Sequence, residues 1–311
     1  MKYLSLFSGI GGFELGIGQL AKCVGFSEIN PYAIQIYQYR FPDAQNFGDI
    51  TKIDPKTLPP FDALVGGFPC QSFSVIGKRK GFNDPRGVLF FEILRIIRQT
   101  KPSLLFFENV KGLVNHEGGK TFATILRSLD ELGYDCQWQV LDSKNFGVPQ
   151  SRQRVYIIGH LRGTPRPEVF PLCGENKQGS TGNRSLKSCL PFAHIRDGSK
   201  KGYAVAEVGD CIDLSFANSA TRKGRVTKDI SHAVLPSMEI YTLTKEAKIR
   251  RLTPVEAERL QGFPDHWTAK GIKNGKVVAI SDRQRYQRLG NAVTVPVIRA
   301  IARKLLRKKK D

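Results

Sequence analysis

The amino-acid sequence predicts an α/β fold: a doubly wound, mostly parallel sheet with a second, smaller, loop-rich domain. Three observations predict it. Short apolar runs alternate with helix-periodic segments through the first half of the chain, the pattern of parallel strands joined by helical crossovers. The run SLLFF (103–107) shows no polar alternation after its serine, as expected of a strand covered on both faces. From about 163 to 250, Pro, Gly, Ser, Asn and Lys dominate and helical periodicity is lost, which marks a separate region of loops and short strands.

The elements follow in order. KYLSLF (2–7) is a strand, followed by a glycine turn and a helix with Phe13, Leu15, Ile17 and Leu20 apolar. CVGFSE (23–28) is a second strand, and PYAIQIYQYRF opens a helix on Pro31, where the missing N–H is harmless. DALV (62–65) is a strand. Residues 88–98 form a helix because Glu92, Arg95 and Arg98 fall on one polar stripe. TFATILRSLDEL (121–132) is another helix and VYIIG (155–159) another strand. Periodic sequence returns in RLTPVEAERLQGF, and VPVIRAIARKLLRK is a last helix with a basic tail.

Composition narrows the function classes. No apolar run approaches the roughly 18 residues of a membrane span, so no membrane partner is expected. The opening MKYLSLFSGIGGFELGI is broken by glycines and contains Glu14, so it reads as strand and turn, not as a leader. The six cysteines are scattered with no CxxC pair. Neither a disulfide framework nor a metal site is expected, and the cytoplasm is the expected compartment. The net charge is +20, from 48 basic and 28 acidic residues. It is uneven, with 19 basic against 14 acidic residues in 1–165 and 29 against 14 in 166–311. A phosphate backbone is the partner that such an excess attracts best, although ribosome association and plain solubility fit the charge too.

Three short motifs fall where strands end, and a fourth precedes the strand VYIIG. FSGIGGF (7–13) follows the first strand, where an open α/β sheet places a nucleotide-like ligand. Glu28 ends the second strand, 19 residues beyond Gly9, where an acid can accept a ribose hydroxyl. The glycines depart from GxGxxG, so a ligand with ribose and adenine but no pyrophosphate fits, and S-adenosylmethionine is the obvious one. Asp49 and Ile50 fall at an expected third strand end. Taken alone, the glycines would be a plain turn. GGFPCQSFS (66–74) places Cys70 just beyond DALV, at the same sheet edge. A lone Pro-Cys is usually a packed residue, yet residues 71–86 form a polar, glycine-containing segment able to close as a lid. FENV (107–110) brings Glu108 to that edge. QSRQR (150–154) brings Arg152 and Arg154, two guanidinium forks suited to a carbonyl oxygen or a phosphate.

In this order FSGIGG, Glu28, GDI (48–50), GFPCQSFS, FENV, QSRQR, RLTPVEAERLQGFP and LGNAVTVPV (289–297) closely resemble the C5-cytosine DNA methyltransferases of prokaryotic restriction–modification systems. The likeness covers nearly all of the chain except about 163–250. It implies a catalytic and cofactor-binding domain over 1–170, completed by 286–311, and a target-recognition domain over 171–285. It implies that Cys70 attacks C6 of a cytosine flipped from the duplex, that Glu108 donates to N3, that Arg154 holds O2 and that Arg152 braces the site. The implied S-adenosylmethionine site comprises Phe7, Gly9, Ile10, Gly12, Glu28, Ile29, Asp49, Ile50, Pro69, Leu89, Asn291 and Val293. Ser8 stands where alanine is common, and Ile29 where an aromatic often covers the adenine.

Double-stranded DNA is the implied partner, met by a monomer, with room for a cognate nuclease acting separately. Phosphate and groove contacts are expected from Gln71, Ser74, Lys78, Arg79, Lys80 and Arg86, and base contacts from Arg222, Lys223 and Arg225. A tRNA-methylating branch shares the catalytic motifs, but its CFT hallmark is absent here. A nicotinamide-dependent oxidoreductase would use the glycine turn and Glu28 but leaves Cys70, Glu108 and the basic half without a role. A catalytically silent DNA-binding module is at odds with an intact PCQ and ENV.

Overall fold

The central sheet forms where the sequence places its apolar runs. The computed structural model describes residues 1–69, 88–165, 167–172, 192–219 and 223–306. Through the first half the order is β1 (Lys2–Leu6), α1 (Gly12–Ile17), β2 (Lys22–Ser27), α2 (Pro31–Arg40), β3 (Ala63–Gly67), α3 (Val88–Thr100), β4 (Leu104–Val110), α4 (Gly112–Asn115), α5 (Lys120–Glu131), β5 (Tyr134–Asp142) and β6 (Gln153–Leu161). These six strands lie in the order β2-β1-β3-β4-β6-β5. β1 is parallel to β2 and β3, and β3 is parallel to β4, whereas β6 runs antiparallel to β4 and to β5. β5 and β6 need no crossover, because a short stretch with one helical turn at Ser143–Phe146 joins them.

Period-two alternation assigns the strand residues to two cores. Leu4, Leu6, Leu64, Leu105 and Phe107 pack with Ile93 and Ile97 of α3 and Ile125 and Leu129 of α5. Tyr3, Val65, Leu104 and Phe106 pack on the other face with Phe13 and Ile17 of α1 and with Val297, Ile298 and Ile301. The last three belong to α8 (Val295–Leu306). A Cβ on Gly16 would lie 2.6 Å from Ile298, so the glycine lets α1 and α8 approach closely. Each large apolar side chain fully buried in these layers contributes about 1.5–3 kcal/mol, and Leu4, Leu64, Phe107 and Ile301 are fully buried.

The remaining elements are β7 (Phe192–Arg196), β8 (Tyr203–Glu207), β9 (Cys211–Asp213), β10 (Arg225–Thr227), β11 (Ile240–Leu243), β12 (Ile249–Arg251), α6 (Pro254–Gln261), β13 (Lys270–Lys273), β14 (Lys276–Ala279) and α7 (Asp282–Asn291). β10-β9-β11-β12 form an antiparallel sheet, and β7–β8 and β13–β14 are two-stranded. Thr253 and Glu256 close a capping box at the start of α6, and Arg250 helps hold the Glu256 carboxyl at about 2. A third core joins Ile10 and Ile36 to Val234, Leu260, Trp267, Leu289 and Val295. The Trp267 indole N–H donates to the Ile10 carbonyl at 2.9 Å, so the segment between α6 and β13 is fixed against the first glycine turn. Among the described residues no helix is long and apolar enough to cross a membrane.

Candidate active site

The carboxyl ends of β1, β2, β3 and β4 open onto one cavity of about 500 Å³. After β1 the backbone turns through left-handed conformations, with φ of 51° at Phe7, 56° at Gly9 and 84° at Gly11. Glycine accepts such angles without the Cβ penalty. Gly9 donates its N–H to Glu28 Oε2 at 2.9 Å. Glu28 Oε1 accepts from the N–H groups of Ile29 and Asn30 at 2.9 and 2.8 Å. Three backbone donors thus hold the Glu28 carboxylate at the end of β2, which lines the cavity together with Phe7 and Ile29. Asp49 caps the following turn through Thr51 N–H at 3.0 Å, and it lines the cavity with Ile50.

Glu108 sits at the end of β4 and is 8% exposed. Its register partner on β3 is Gly67, where a Cβ would stand 3.1 Å from Glu108 Oε2; the missing side chain makes room for the carboxyl. Burial pushes the Glu108 carboxyl above the usual carboxylate range, against the opposing pull of Arg154 and Arg152. Arg154 Nε lies 3.1 Å from Glu108 Oε1, and Arg154 Nη1 donates to the Gln153 carbonyl at 2.8 Å. Asn109, buried beside Glu108, donates from Nδ2 to the Phe68 carbonyl at 2.9 Å. That bond fixes the backbone two residues before Cys70, at the edge that carries Glu108.

Arg152 braces two segments through three carbonyls. Nη1 donates to the Val234 carbonyl at 2.9 Å, and Nη2 donates to the carbonyls of Gly290 and Ala292, both at 3.0 Å. Burial, seconded by Arg154, pushes its guanidinium down to about 9, so it still carries charge at neutral pH. Arg152→Met should therefore lower unfolding stability by about 3 kcal/mol, because buried carbonyls lose their donors. Urea denaturation measures it, and an unchanged midpoint would show that those carbonyls find other partners.

The cavity also takes in Pro69, Leu89, Arg152, Arg154 and Asn291. Ile10, Gly12 and Val293 are not in its lining. Ile10 is 1% exposed within the third core, and a Cβ on Gly12 would fall 2.7 Å from Val293 Cγ2, so these two pack directly behind the turn. Cys70, Gln71, Ser74, Lys78, Arg79, Lys80, Arg86 and Arg222 lie outside the described residues. Lys223 is half-buried with φ of 45°. Arg225 pairs with the buried Asp213, and neither Lys223 nor Arg225 lines the cavity. Ser27, Gly67, Asn109 and Arg288 line it without having been singled out in the sequence. Asn109 stands inside FENV, so its motif pointed to it; Arg288 reads only as one charge among several on α7.

The fold is shared with solved methyltransferase structures. The chain superposes on S. pombe Dnmt2 methyltransferase with a TM-score of 0.65 at 21% identity, covering 98% of both chains. A putative DNA modification methyltransferase encoded within an E. coli prophage gives 0.63 at 18% identity, again over 98% of both chains. The family model of the C-5 cytosine-specific DNA methylases matches residues 1–187 and 175–307. The type II methyltransferases M1.ScrFI of Lactococcus lactis subsp. cremoris and M.SsoII of Shigella sonnei are each 39% identical over 98% of this chain, covering 78% and 80% of their own lengths. M.HpaII of Haemophilus parainfluenzae is 35% identical over 98% of this chain and 89% of its own. The chain belongs to the C-5 cytosine-specific DNA methylase family and is a DNA cytosine methyltransferase.

Proposed function

We propose that this enzyme methylates C5 of a cytosine turned out of double-stranded DNA, with S-adenosylmethionine as donor and a covalent bond between Cys70 and C6 as intermediate. What carries the reading is that one cavity holds two chemistries: an anchored carboxylate at Glu28 beside an open glycine turn, and a buried acid at Glu108 beside Arg154. The cavity falls within the roughly 300–1,000 Å³ usual for small-molecule sites.

The residues present fit the donor. Glu28 uses three backbone donors and keeps lone pairs for ribose hydroxyls, and a Cβ on Gly9 would meet no atom within 4 Å, so the backbone leaves open space there. Phe7, Ile29 and Ile50 supply apolar surface for a purine, and Asp49, Pro69, Leu89 and Asn291 complete the set. S-adenosylmethionine supplies, when bound, an electrophilic methyl group on a sulfonium.

The other steps belong to the chain. Stacked DNA hides the ring edge, so the base must leave the helix at a cost of a few kcal/mol. The Cys70 thiolate forms a bond to C6 as the C5=C6 electron pair moves toward C5. Glu108, whose carboxyl burial pushes upward against the pull of Arg154 and Arg152, donates to N3 and neutralises the charge that reaches the ring. C5 takes the methyl group and then loses its proton to a base. The C5=C6 bond returns as the C6–sulfur bond breaks, releasing Cys70 as thiolate and returning the N3 proton to Glu108. Covalent addition thus divides one hard substitution into easier steps. Arg154, whose Nη2 has no partner among the described residues, would reach O2. Residues 1–170 with 286–311 form the catalytic part and 171–285 the target-recognition part in this reading, with Gln71–Arg86 and Arg222–Arg225 on the DNA. The protein acts as a cytoplasmic monomer, and a cognate nuclease would work separately.

Duplex DNA carrying 5-fluorocytosine in the recognised site tests this. The fluorine replaces the proton that must leave, so a denaturant-stable protein–DNA adduct should accumulate when donor is present. Its absence, with methyl transfer to ordinary DNA intact, would remove Cys70 as nucleophile. Bisulfite sequencing of plasmid from expressing cells supplies that site.

A further inference from the structure

Among the described residues three guanidinium groups line the cavity, and two of them are engaged. Arg152 donates to three carbonyls, and Arg154 is held by Glu108 and the Gln153 carbonyl. The third, Arg288, comes from the last turn of α7. It is half-buried, and its Nε is sealed from solvent with no acceptor among the described residues. A buried donor without a partner is a standing penalty, and the rest of this half-buried guanidinium is open to the cavity. Burial pushes this guanidinium down, and the carboxylate that pulls it back up is Glu28, not Glu108. Arg288 shares the cavity lining with Gly9 and Glu28, and its chain neighbours Gly290 and Asn291 line it too.

We propose that Arg288 is a cofactor-binding residue, whose guanidinium receives the α-carboxylate of the methyl donor's amino-acid tail. This rests on the reading of the cavity as an S-adenosylmethionine site. Glu28 already supplies the negative group suited to hydroxyls, so a cation beside it is matched to the anionic part of the same ligand. A planar fork with free N–H donors accommodates a carboxylate through two parallel bonds. A DNA phosphate is the other anion available, but Arg288 lines the cavity with Gly9, Glu28 and Asn291, the residues assigned to the donor, and Glu28 is the carboxylate that acts on it.

Calorimetric binding of S-adenosylmethionine and of its decarboxylated form, which differs only in lacking that carboxylate, separates the cases. Wild-type protein should prefer S-adenosylmethionine by about 10- to 100-fold. Arg288→Met should lose most of that preference by weakening S-adenosylmethionine alone, and Arg288→Lys should keep part of it. Unchanged binding of the decarboxylated compound shows that the variant is folded; should Arg288→Met fail that check, Arg288→Lys is judged on the same ratio. Equal weakening of both compounds by Arg288→Lys, or no weakening of either by Arg288→Met, would overturn the assignment. So would normal S-adenosylmethionine binding combined with weaker, less salt-sensitive DNA binding, which would move Arg288 to a phosphate. Wild-type protein that binds neither compound would instead fail the cofactor reading itself.

Discussion

Cys70→Ser is expected to reduce methyl transfer by roughly 10⁴-fold or more, while leaving cofactor and DNA binding within a few-fold of wild type. The reason lies in the nucleophile. A thiol near pKa 8.5 is a few per cent thiolate at neutral pH, and thiolate sulfur is intrinsically reactive. A serine hydroxyl keeps the size and the hydrogen bonding but offers almost no alkoxide. Without addition at C6, the C5 carbon stays within an aromatic ring and does not attack a methyl group at a useful rate. Single-turnover transfer of a labelled methyl group measures the loss, and an electrophoretic shift measures the retained binding. Activity within tenfold of wild type would sink the covalent route. The backbone leading to residue 70 is set by the bond from Asn109 to the Phe68 carbonyl and by Phe68 packing on Phe90 and Phe107, neither of which the substitution touches.

The sheet was legible because its strands announce themselves. Buried on both faces, β1, β3 and β4 cannot hide their apolar runs, and the helices between them carry clear polar stripes. The strand that escaped notice is β5. It is an edge strand paired only with β6, and its sequence, YDCQWQVLD, mixes Asp135, Gln137 and Gln139 with half-exposed neighbours. The glutamines serve the fold, since Gln137 and Gln139 bond the backbone at Val169 and Leu172 and cover that edge. Nothing local in the sequence reports such a bond across some thirty residues. The same limit applies at the site. Glu28 and Glu108 were visible because each ends a strand at the ligand-bearing edge. Arg288 and Gly67 were not, because their meaning depends on what faces them. Gly67 matters through the carboxyl opposite, and Arg288 through the lack of an acceptor. Arg225 shows the converse, since an exposed basic run gave no sign that one of its members would be tied to Asp213.

Glu108→Gln should keep S-adenosylmethionine binding and slow single-turnover methylation by about 10²–10³-fold, the range for losing one preorganised electrostatic contact at a developing charge. The amide can still offer N–H to N3, but it cannot transfer a proton. The pH dependence gives the sharper test. Burial raises the Glu108 carboxyl above its ordinary value, so the acid form persists at pH values where an exposed glutamate would be ionised. Because its folded value exceeds its unfolded one, the group favours the folded state less as pH climbs from the unfolded value through the folded one. The catalytic acid disappears over the same climb, while the Cys70 thiolate grows in the opposite direction. The wild-type rate should accordingly pass through a maximum, rising with thiolate and falling as Glu108 ionises. In Glu108→Gln only the rising limb should remain. A variant that still showed the falling limb would assign that ionisation to another group and remove Glu108 as the acid that meets N3.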